Sequence, residues 1–280
     1  MTRLLVLPLL FVLACSAEDA IHLGEVGGDV PIVEVGEPAD SEPVSVVSPP
    51  PCPSEMAIIG QTCIDRYEAH LRLESGERHP HHSRPRPGAA YVAASAPDVR
   101  PQSYISRDEA AAACDRAGKR LCTRGEWMAA CRGTPAGPVG PAGDRACNHG
   151  KAHLLTLLGR GYDYEDDFND PSLSLEPGFL AKTGAHERCI SDAGVHDMVG
   201  NVHEWVSDAV TSQFLTAFQH EVPRQFQYVA IGNAVFMGGF FSTRAELGPG
   251  CLFTTVAHDA GYHDYSTGFR CCADAGSAGR

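Results

Sequence analysis

The chain has 280 residues, 43% hydrophobic and 20% charged, which is enough for one sizeable domain with a buried core or for two small ones. Its net charge of −13 argues against nucleic acid as a partner, because the phosphates would repel it. No apolar run reaches about 18 residues, so we expect no helix that spans a membrane. This balance is typical of a soluble extracytoplasmic protein.

The N-terminus has the pattern of a targeting segment. Arg3 supplies the positive start, and residues 4–13 form an apolar run of signal-peptide length. The small residue before Cys15 resembles the cleavage box of bacterial lipoproteins, which predicts a signal peptide at 1–14 and a lipid on Cys15. Ser16 favours sorting to the outer membrane of the cell envelope. The alternative is an ordinary signal peptide cleaved near Ala17.

The next segment, residues 15–51, is acidic and rich in proline, valine and glycine. It lacks a core-forming period, so we interpret it as a disordered or extended tether. The folded domain is predicted at 52–273, followed by a short tail at 274–280. Of the eleven cysteines, ten remain once Cys15 is assigned to the lipid, and an even count in an exported chain indicates disulfides. Zinc is the alternative, although no Cys-x-x-Cys pair occurs.

A short apolar run lies at 56–59, a strand is predicted at 63–68, and two helices follow. Residues 106–109 and 123–126 both have the capping-box spacing, which predicts helices that end at Gly118 and Cys131. Between the strands and these helices lie His79, His81 and His82, which indicate either a transition-metal site or a proline-broken surface loop.

Residues 197–205 combine two acids with a Gly-Asn turn and end in one of only two tryptophans. Carboxylates of Asp197 and Glu204, with carbonyls of Gly200 and Val202, suit a hard cation such as calcium. The alternative is an ordinary capped turn whose acids face water. We expect weakly ordered structure from Trp205 to about residue 222, then buried strands at 235–241 and 268–272.

Seven motifs occur in a fixed order and together resemble the sulfatase-modifying-factor family, whose type member is the formylglycine-generating enzyme. The resemblance implies an α+β, C-type-lectin-like formylglycine-generating-enzyme fold with little regular secondary structure and several disulfides. The motifs lie at 63–68, 118–121, 126–127, 130–133, 197–205, 238–239 and 268–271.

The resemblance also implies structural calcium. The family's first site would use Asp197, Gly200, Val202 and Glu204, and a second would use Asn148 and the carbonyl of His149. Further ligands of the second site would come from the loop at 163–170. His203 stands where the family usually has an aromatic residue, which changes packing more than coordination.

Disulfides are implied by the same resemblance. Two pairs follow directly: Cys114 with Cys271 and Cys131 with Cys251. A bridge between Cys147 and Cys189 is a further hypothesis, and the pairing within one remaining set is open. That set is Cys52, Cys63, Cys122 and Cys272.

The family's enzyme oxidises a substrate cysteine with two cysteines that bind copper(I) shortly after a Gly-Gly strand. Thr243 and Gly248 stand near those positions, and neither can replace a thiolate ligand of this soft ion. We therefore expect no copper and no formylglycine-generating activity. An iron-dependent branch of the family needs an additional helical domain, for which this chain has no room.

The sequence thus favours a non-catalytic, lipid-anchored binding or structural module with an envelope protein, peptide or glycan as ligand. An enzyme with a divergent site and a purely architectural protein are the alternatives. A His/Asp group near the closing strand could do acid–base work or hold a metal, or it could be a hydrogen-bonded polar loop. The candidate binding face comprises Thr243, Arg244, Glu246, His258, Tyr262, His263, Asp264 and Tyr265.

Overall fold

The computed structural model describes residues 52–135, 145–157, 159, 161, 163, 166–221, 229–244 and 250–276. The chain divides after Val46, and all described residues belong to the unit that begins at Val47. The predicted signal peptide, the lipidation site Cys15 and the tether lie outside the described residues, as do Glu246 and Gly248. No described helix is long and apolar enough to cross a membrane.

The described elements are short, as expected for this fold. The helices are α1 (Arg107–Arg116), α2 (Arg124–Cys131), α3 (Leu154–Leu157) and α4 (Ser212–Glu221). The strands are β1 (Met56–Ile59), β2 (Thr62–Asp65), β3 (Ala69–Leu73), β4 (Tyr91–Ser95), β5 (Arg120–Leu121), β6 (His203–Ala209), β7 (Ala234–Met237), β8 (Thr254–Thr255), β9 (Thr267–Phe269) and β10 (Cys271–Asp274).

The strands form three sheets. One has the order β1-β2-β10-β5, a second pairs β3 with β4, and a third has the order β8-β7-β6-β9. The predicted closing strand is in fact two strands, β9 and β10, separated by Arg270. Because β9 pairs with β6 while β10 pairs with β2 and β5, this change of sheet places Arg270 between them.

Both predicted capping boxes are present. The side chains of Ser106 and Thr123 each accept a hydrogen bond from the backbone N–H of the glutamate three residues later, and the carboxylate of that glutamate accepts one from the backbone N–H of the cap residue. These reciprocal bonds satisfy amide groups that the first helical turn leaves unpaired. The two helices therefore begin where the sequence predicted.

The prediction of weak order after Trp205 is wrong. Strand β6 continues to Ala209, and α4 follows from Ser212 to Glu221. Strand β6 lies between β7 and β9 in the third sheet. Its order therefore comes from pairing with strands that are distant in the sequence, which a local pattern does not reveal.

Five disulfides link the described part of the chain. Three are the pairs implied by the family resemblance and the further hypothesis: Cys114–Cys271, Cys131–Cys251 and Cys147–Cys189. The four cysteines whose pairing was open form Cys52–Cys63 and Cys122–Cys272. Four of the bridges close loops of 42 to 157 residues, and one of them, Cys114–Cys271, ties α1 to β10.

Candidate functional site

The turn before β6 is buried rather than solvated. Asp197 is 3% exposed and Glu204 1% exposed, so the interpretation of an ordinary turn with acids facing water is wrong. Asp197 and Asn201 have φ values of 59°, a left-handed conformation that short polar residues tolerate. Gly200 has a φ of 85°, and a Cβ there would lie 2.1 Å from the carbonyl oxygen of Asn148. Only glycine fits at this position.

Glu204 is held by two side chains from other elements. Arg270 donates from Nε to Oε2 and from Nη2 to Oε1, both at 2.6 Å, and Trp127 of α2 donates from Nε1 to Oε2 at 2.7 Å. The remaining Arg270 donors reach the carbonyls of Asp65 and His196. This bidentate pair is fully buried, so its geometry is fixed from several directions.

Glu68 is a further member of this centre that the sequence interpretation missed. Its carboxylate accepts from the Asn201 side chain at 2.6 Å and from the backbone N–H of Val202 at 3.2 Å. The residue lies three positions after the end of β2, and the sequence analysis treated it only as part of a strand motif. A second acid three residues earlier, Asp65, is also completely buried. The signal that the sequence offered for this centre was two acids, Asp65 and Glu68, within one short motif that was predicted to be a strand.

We define the acid centre as Glu68, Asp197, Glu204 and Arg270. Burial raises the pKa of Glu68 well above its usual value, and the charges of Asp197 and Glu204 raise it further. Burial likewise raises the pKa of Asp197 to about 6. Burial opposes the charge of Arg270, but Glu204 and the other two acids hold its pKa above the usual value. Three carboxyl groups thus share a single guanidinium, and the two that it does not pair with have raised pKa values.

The two predicted calcium sets lie side by side. Asn201 donates its backbone N–H to the Asn148 carbonyl at 2.8 Å, and Asn148 Nδ2 donates to Asn201 Oδ1 at 2.8 Å. Asn148 Oδ1 is buried and has no hydrogen-bond partner among the described residues. The His149 carbonyl, by contrast, accepts from Arg145 Nη1 at 2.5 Å, which places a positive group at that oxygen.

The described residues contain no group of three or more His, Cys, Asp or Glu side chains that could hold a metal. The proposed calcium ligands differ from such a group, because they include an amide and backbone carbonyls. The unpartnered Asn148 oxygen and the two acids that Arg270 does not pair with are compatible with an additional cation. The ligands predicted from Asp163 to Asp170 are in part engaged elsewhere, since Asp170 caps the 3-10 helix Pro171–Leu175.

The segment after β7 forms a tight turn. Gly239 has a φ of 77°, and a Cβ there would lie 2.9 Å from the side chain of Thr243. Thr243 Oγ1 accepts from the Phe240 backbone N–H at 3.0 Å, and the Thr243 carbonyl accepts from Gly150 at 2.7 Å. This Thr243 hydroxyl is thus part of the turn that links the loop to the Asn148 segment.

The candidate binding face is only partly at the surface. Tyr265 is completely buried, and its hydroxyl lies 3.1 Å from His153 Nε2, so its assignment to the face is wrong. Asp264 is 4% exposed and accepts from the Tyr262 hydroxyl and from Ser266, which removes it from the face as well. Both side chains point inward, where Tyr265 contacts His153 and Asp264 accepts hydrogen bonds from Tyr262 and Ser266.

The rest of that face is half-buried. The ring of His258 stacks on Tyr262 with centroids 3.7 Å apart, and His263 Nδ1 lies 2.7 Å from Asn169 Oδ1. No hydrogen bond joins a histidine to Asp264 in this described segment. The arrangement matches the hydrogen-bonded polar loop better than an acid–base pair. Arg244 is exposed, and Glu246 lies outside the described residues.

His203 is buried among three phenylalanine rings. Its ring centroid lies 4.6 Å from that of Phe236, 5.0 Å from that of Phe240 and 5.6 Å from that of Phe253. Burial and the nearby His258 lower the pKa of His203 to about 3, so the ring is neutral near pH 7. It therefore fills an aromatic position, as predicted, rather than adding a charge.

The model of the sulfatase-modifying factor enzyme 1-like domain matches residues 61–275. The chain belongs to the sulfatase-modifying factor family. The match begins at β2 and includes every element of the acid centre. The family is therefore shown over most of the chain, and its fold is the mixed, disulfide-rich α+β fold described above.

Individual relatives of this family member are distant. Formylglycine-generating enzyme from Mus musculus is 31% identical over 108 residues, which cover 39% of this chain and 27% of the mouse protein. The chain thus spans about a quarter of the curated relative that it matches. Among solved structures, PvdO from Pseudomonas aeruginosa is 17% identical with a TM-score of 0.41, covering 76% of this chain and 80% of its own.

Two further solved structures are similar. CarF is 16% identical with a TM-score of 0.38 and covers 76% of this chain and 86% of its own. The Major Tropism Determinant P3c variant is 14% identical with a TM-score of 0.46 and covers 79% of this chain and 53% of its own.

Proposed function

We propose that this family member is a non-catalytic, lipid-anchored extracytoplasmic binding or structural module stabilised by calcium. The observation that carries the proposal is the chemistry of the turn after Gly239. Thr243 stands near a position where the family's oxidase is expected to place a copper cysteine, and its hydroxyl is used by the turn. A hydroxyl cannot replace the thiolate that soft copper(I) requires.

The cysteines nearest to this turn are committed to structure. Cys251, the next cysteine along the chain, is joined to Cys131, which is completely buried. A disulfide sulfur is not a thiolate and cannot serve as one of a copper pair. The other eight cysteines of the described part are likewise paired. Catalysis of the family's oxidation would require a ligand set that this part of the chain does not offer.

Calcium is supported by two observations on the turn before β6. Three buried carboxyl groups share one guanidinium, and Asn148 Oδ1 has no partner among the described residues. Asp197, Gly200, Val202 and Glu204 would hold the first ion, and Asn148 fits the second. Arg145 would have to leave the His149 carbonyl for that oxygen to become a ligand. Calcium would balance charge and hold the turn, without a chemical role.

The proposed binding face is formed by Thr243, Arg244, His258, Tyr262 and His263, and its ligand is an envelope protein, peptide or glycan. The test is a crosslinking pull-down from intact envelopes with the native protein and a His258→Ala/His263→Ala variant. Asp264 and Tyr265 are left unchanged because both are buried. Capture of one partner that the variant loses would support the module, whereas equal recovery would remove this face.

Metal analysis of the same preparation separates the module from an enzyme. Stoichiometric calcium without copper or iron is the expected result. Stoichiometric copper or iron would overturn the non-catalytic proposal and favour an oxidoreductase with a divergent site. The lipid anchor is tested by mass spectrometry of the N-terminus, with Cys15→Ser as the variant that should lose the lipid.

A further inference from the structure

A second surface of the molecule, which shares no residue with the proposed face, carries several positively charged side chains. A pocket of about 300 Å³ lies between the segment that follows β3, the segment that follows β4, and a loop before the turn at Asp197. We call it the basic pocket. Its lining residues are Arg78, His79, Pro80, His81, Asp98, Val99, Arg100 and Lys182.

The charge of the basic pocket is opposite to that of the chain. Three lining residues are permanent cations, Arg78, Arg100 and Lys182, and only one lining residue is an acid. That acid, Asp98, pairs with Lys182 at 2.9 Å. Within the described residues, the guanidinium groups of Arg78 and Arg100 have no hydrogen-bond or ion-pair partner. The net charge of the protein is −13, yet two arginines and a lysine line this one pocket with a single acid.

The two histidines leave this positive charge unaltered near pH 7. Burial, and then His82, lower the pKa of His81 to about 4. Burial also lowers the pKa of His79, whose Nε2 lies 3.0 Å from the Ser83 carbonyl. Both rings are therefore neutral walls of the pocket. The field of Arg100 extends to Lys151, whose pKa is lowered to about 8 by burial, Arg145 and Arg100, in that order.

The walls of the basic pocket are fixed by hydrogen bonds. His79 N–H donates to the Leu71 carbonyl of β3 at 2.9 Å, which continues the strand edge up to the pocket. Gln102 Nε2 donates to the Ser83 carbonyl at 2.9 Å. Thr183 exchanges backbone bonds with Asp98 and Val99 at 2.9 and 2.8 Å. The three segments are thus tied together before any ligand arrives, which lowers the entropic cost of binding.

We propose that the basic pocket binds a phosphate or sulfate group. Guanidinium groups present planar forks of donors that match the oxygens of a tetrahedral oxyanion, and the compact lysine adds a point charge. The volume is near the lower end for ligand pockets, so it accepts the anion with part of the molecule that bears it. This inference does not depend on the proposed loss of catalysis or on the proposed binding face.

The test is calorimetric titration of the purified protein with inorganic phosphate and with sulfate in low salt. The variant is Arg78→Gln/Arg100→Gln, which removes both charges and keeps polar side chains. Arg116→Gln is the matched control, because Arg116 lies at the end of α1 and does not line the pocket. We expect saturable binding that is at least about tenfold weaker in the double variant and unchanged in the control. Binding should also weaken in 0.5 M NaCl, since salt screens exposed charges.

A second arm identifies the source of the group. Vesicles containing phosphatidylglycerol are compared with neutral phosphatidylcholine vesicles in a flotation assay, with the same variants in a Cys15→Ser background so that the proposed lipid anchor does not itself bind the vesicles. Phosphate binding without vesicle binding supports a small-molecule source, and both together support a lipid headgroup. Absence of saturable phosphate and sulfate binding, or equal affinity in the native protein and the double variant, would overturn the proposal. Circular dichroism checks that the variants fold.

Discussion

Two regions connected through the pairing of β6 with β7 differ in how their polar groups are used. In the acid centre, Glu204 is held by Arg270 and Trp127, and Glu68 is held by Asn201 and a backbone N–H. In the turn after Gly239, the side chain nearest to the expected reactive position is Thr243, which only closes the turn. The acid centre depends on particular charged and aromatic side chains, whereas the turn after Gly239 depends on a glycine and a small side chain with a hydroxyl group.

The two regions therefore differ in how strongly the fold constrains their side chains. A buried charge whose partner is removed is costly, so each member of the acid centre depends on the others. The turn after Gly239 depends on a glycine and one hydroxyl rather than on a buried ion pair, so a change there should cost the fold less. The scaffold therefore constrains this turn less strongly than it constrains the acid centre.

The largest expected effect is that of Glu204→Gln. The substitution removes the carboxylate that pairs with the buried Arg270 and leaves a guanidinium next to an amide. We expect the free energy of unfolding to fall by about 3–5 kcal/mol, the typical cost of breaking a buried pair. Urea unfolding at pH 7 measures it. A loss below about 1 kcal/mol would contradict the claim that this centre is the more constrained region.

Calcium should produce the next largest effect. At a free concentration one hundred times its Kd, a ligand that binds only the folded state adds about 2.7 kcal/mol. We therefore expect calcium to raise the unfolding midpoint, with EGTA removing the gain and magnesium giving little. The calcium-dependent gain in stability should be smaller in Asn148→Ala. That variant also loses two hydrogen bonds, a cost that is the same with and without calcium. A gain of the same size in the variant would exclude Asn148 as a ligand.

His70 lies outside both regions and is sensitive to acid. Its contribution to the pH dependence of stability must be separated from that of the acid centre. Burial, followed by Arg78 and Arg72, lowers the pKa of His70 to about 4. The unfolded chain therefore takes up the proton first. The stability due to neutral His70 is complete above about pH 6.5 and is lost as the pH falls toward about 4, with a slope of at most about 1.4 kcal/mol per pH unit.

His70→Leu should reduce that slope between pH 6.5 and 4 while changing stability at pH 7 only slightly. The residue is 1% exposed, so leucine suits the buried site, and the substitution also removes the hydrogen bond that His70 Nε2 accepts from Arg72 Nε at 3.3 Å. Urea unfolding of both proteins across this pH range measures the difference. Parallel curves would assign the acid sensitivity to groups other than His70. The raised pKa values of Glu68 and Asp197 act in the opposite direction, because the folded chain holds their protons more tightly than the unfolded chain.

The smallest effect is expected for an exposed pair. Arg84 Nε lies 3.2 Å from Glu109 Oε1, and 48% of the arginine side chain is exposed. Arg84→Gln should cost less than about 1 kcal/mol, and 0.5 M NaCl should remove even that difference. It serves as the control for Glu204→Gln, because both change one residue of an ion pair. A cost comparable to that of Glu204→Gln would show that the buried pair contributes no more to stability than the exposed pair.

The family and the two capped helices could be predicted from the sequence, and the turn at 197–205 could be located, but the burial of its acids could not. The helices depend on spacing within a few residues, the reciprocal caps at 106–109 and 123–126. Local spacing is set by helix and turn geometry, so it can be read from the chain alone. The pairs Cys114–Cys271 and Cys131–Cys251 came from the family order of motifs rather than from spacing.

The tertiary structure alone decided which groups meet. Strand β6 is ordered by β7 and β9, and Glu68 joins Asn201 across 133 residues. Tyr265 turned inward to contact His153. The basic pocket draws its cations from positions as far apart as Arg78 and Lys182. Such contacts depend on the packing of distant segments, whose energies no local window contains, so only the folded chain brings these charges together.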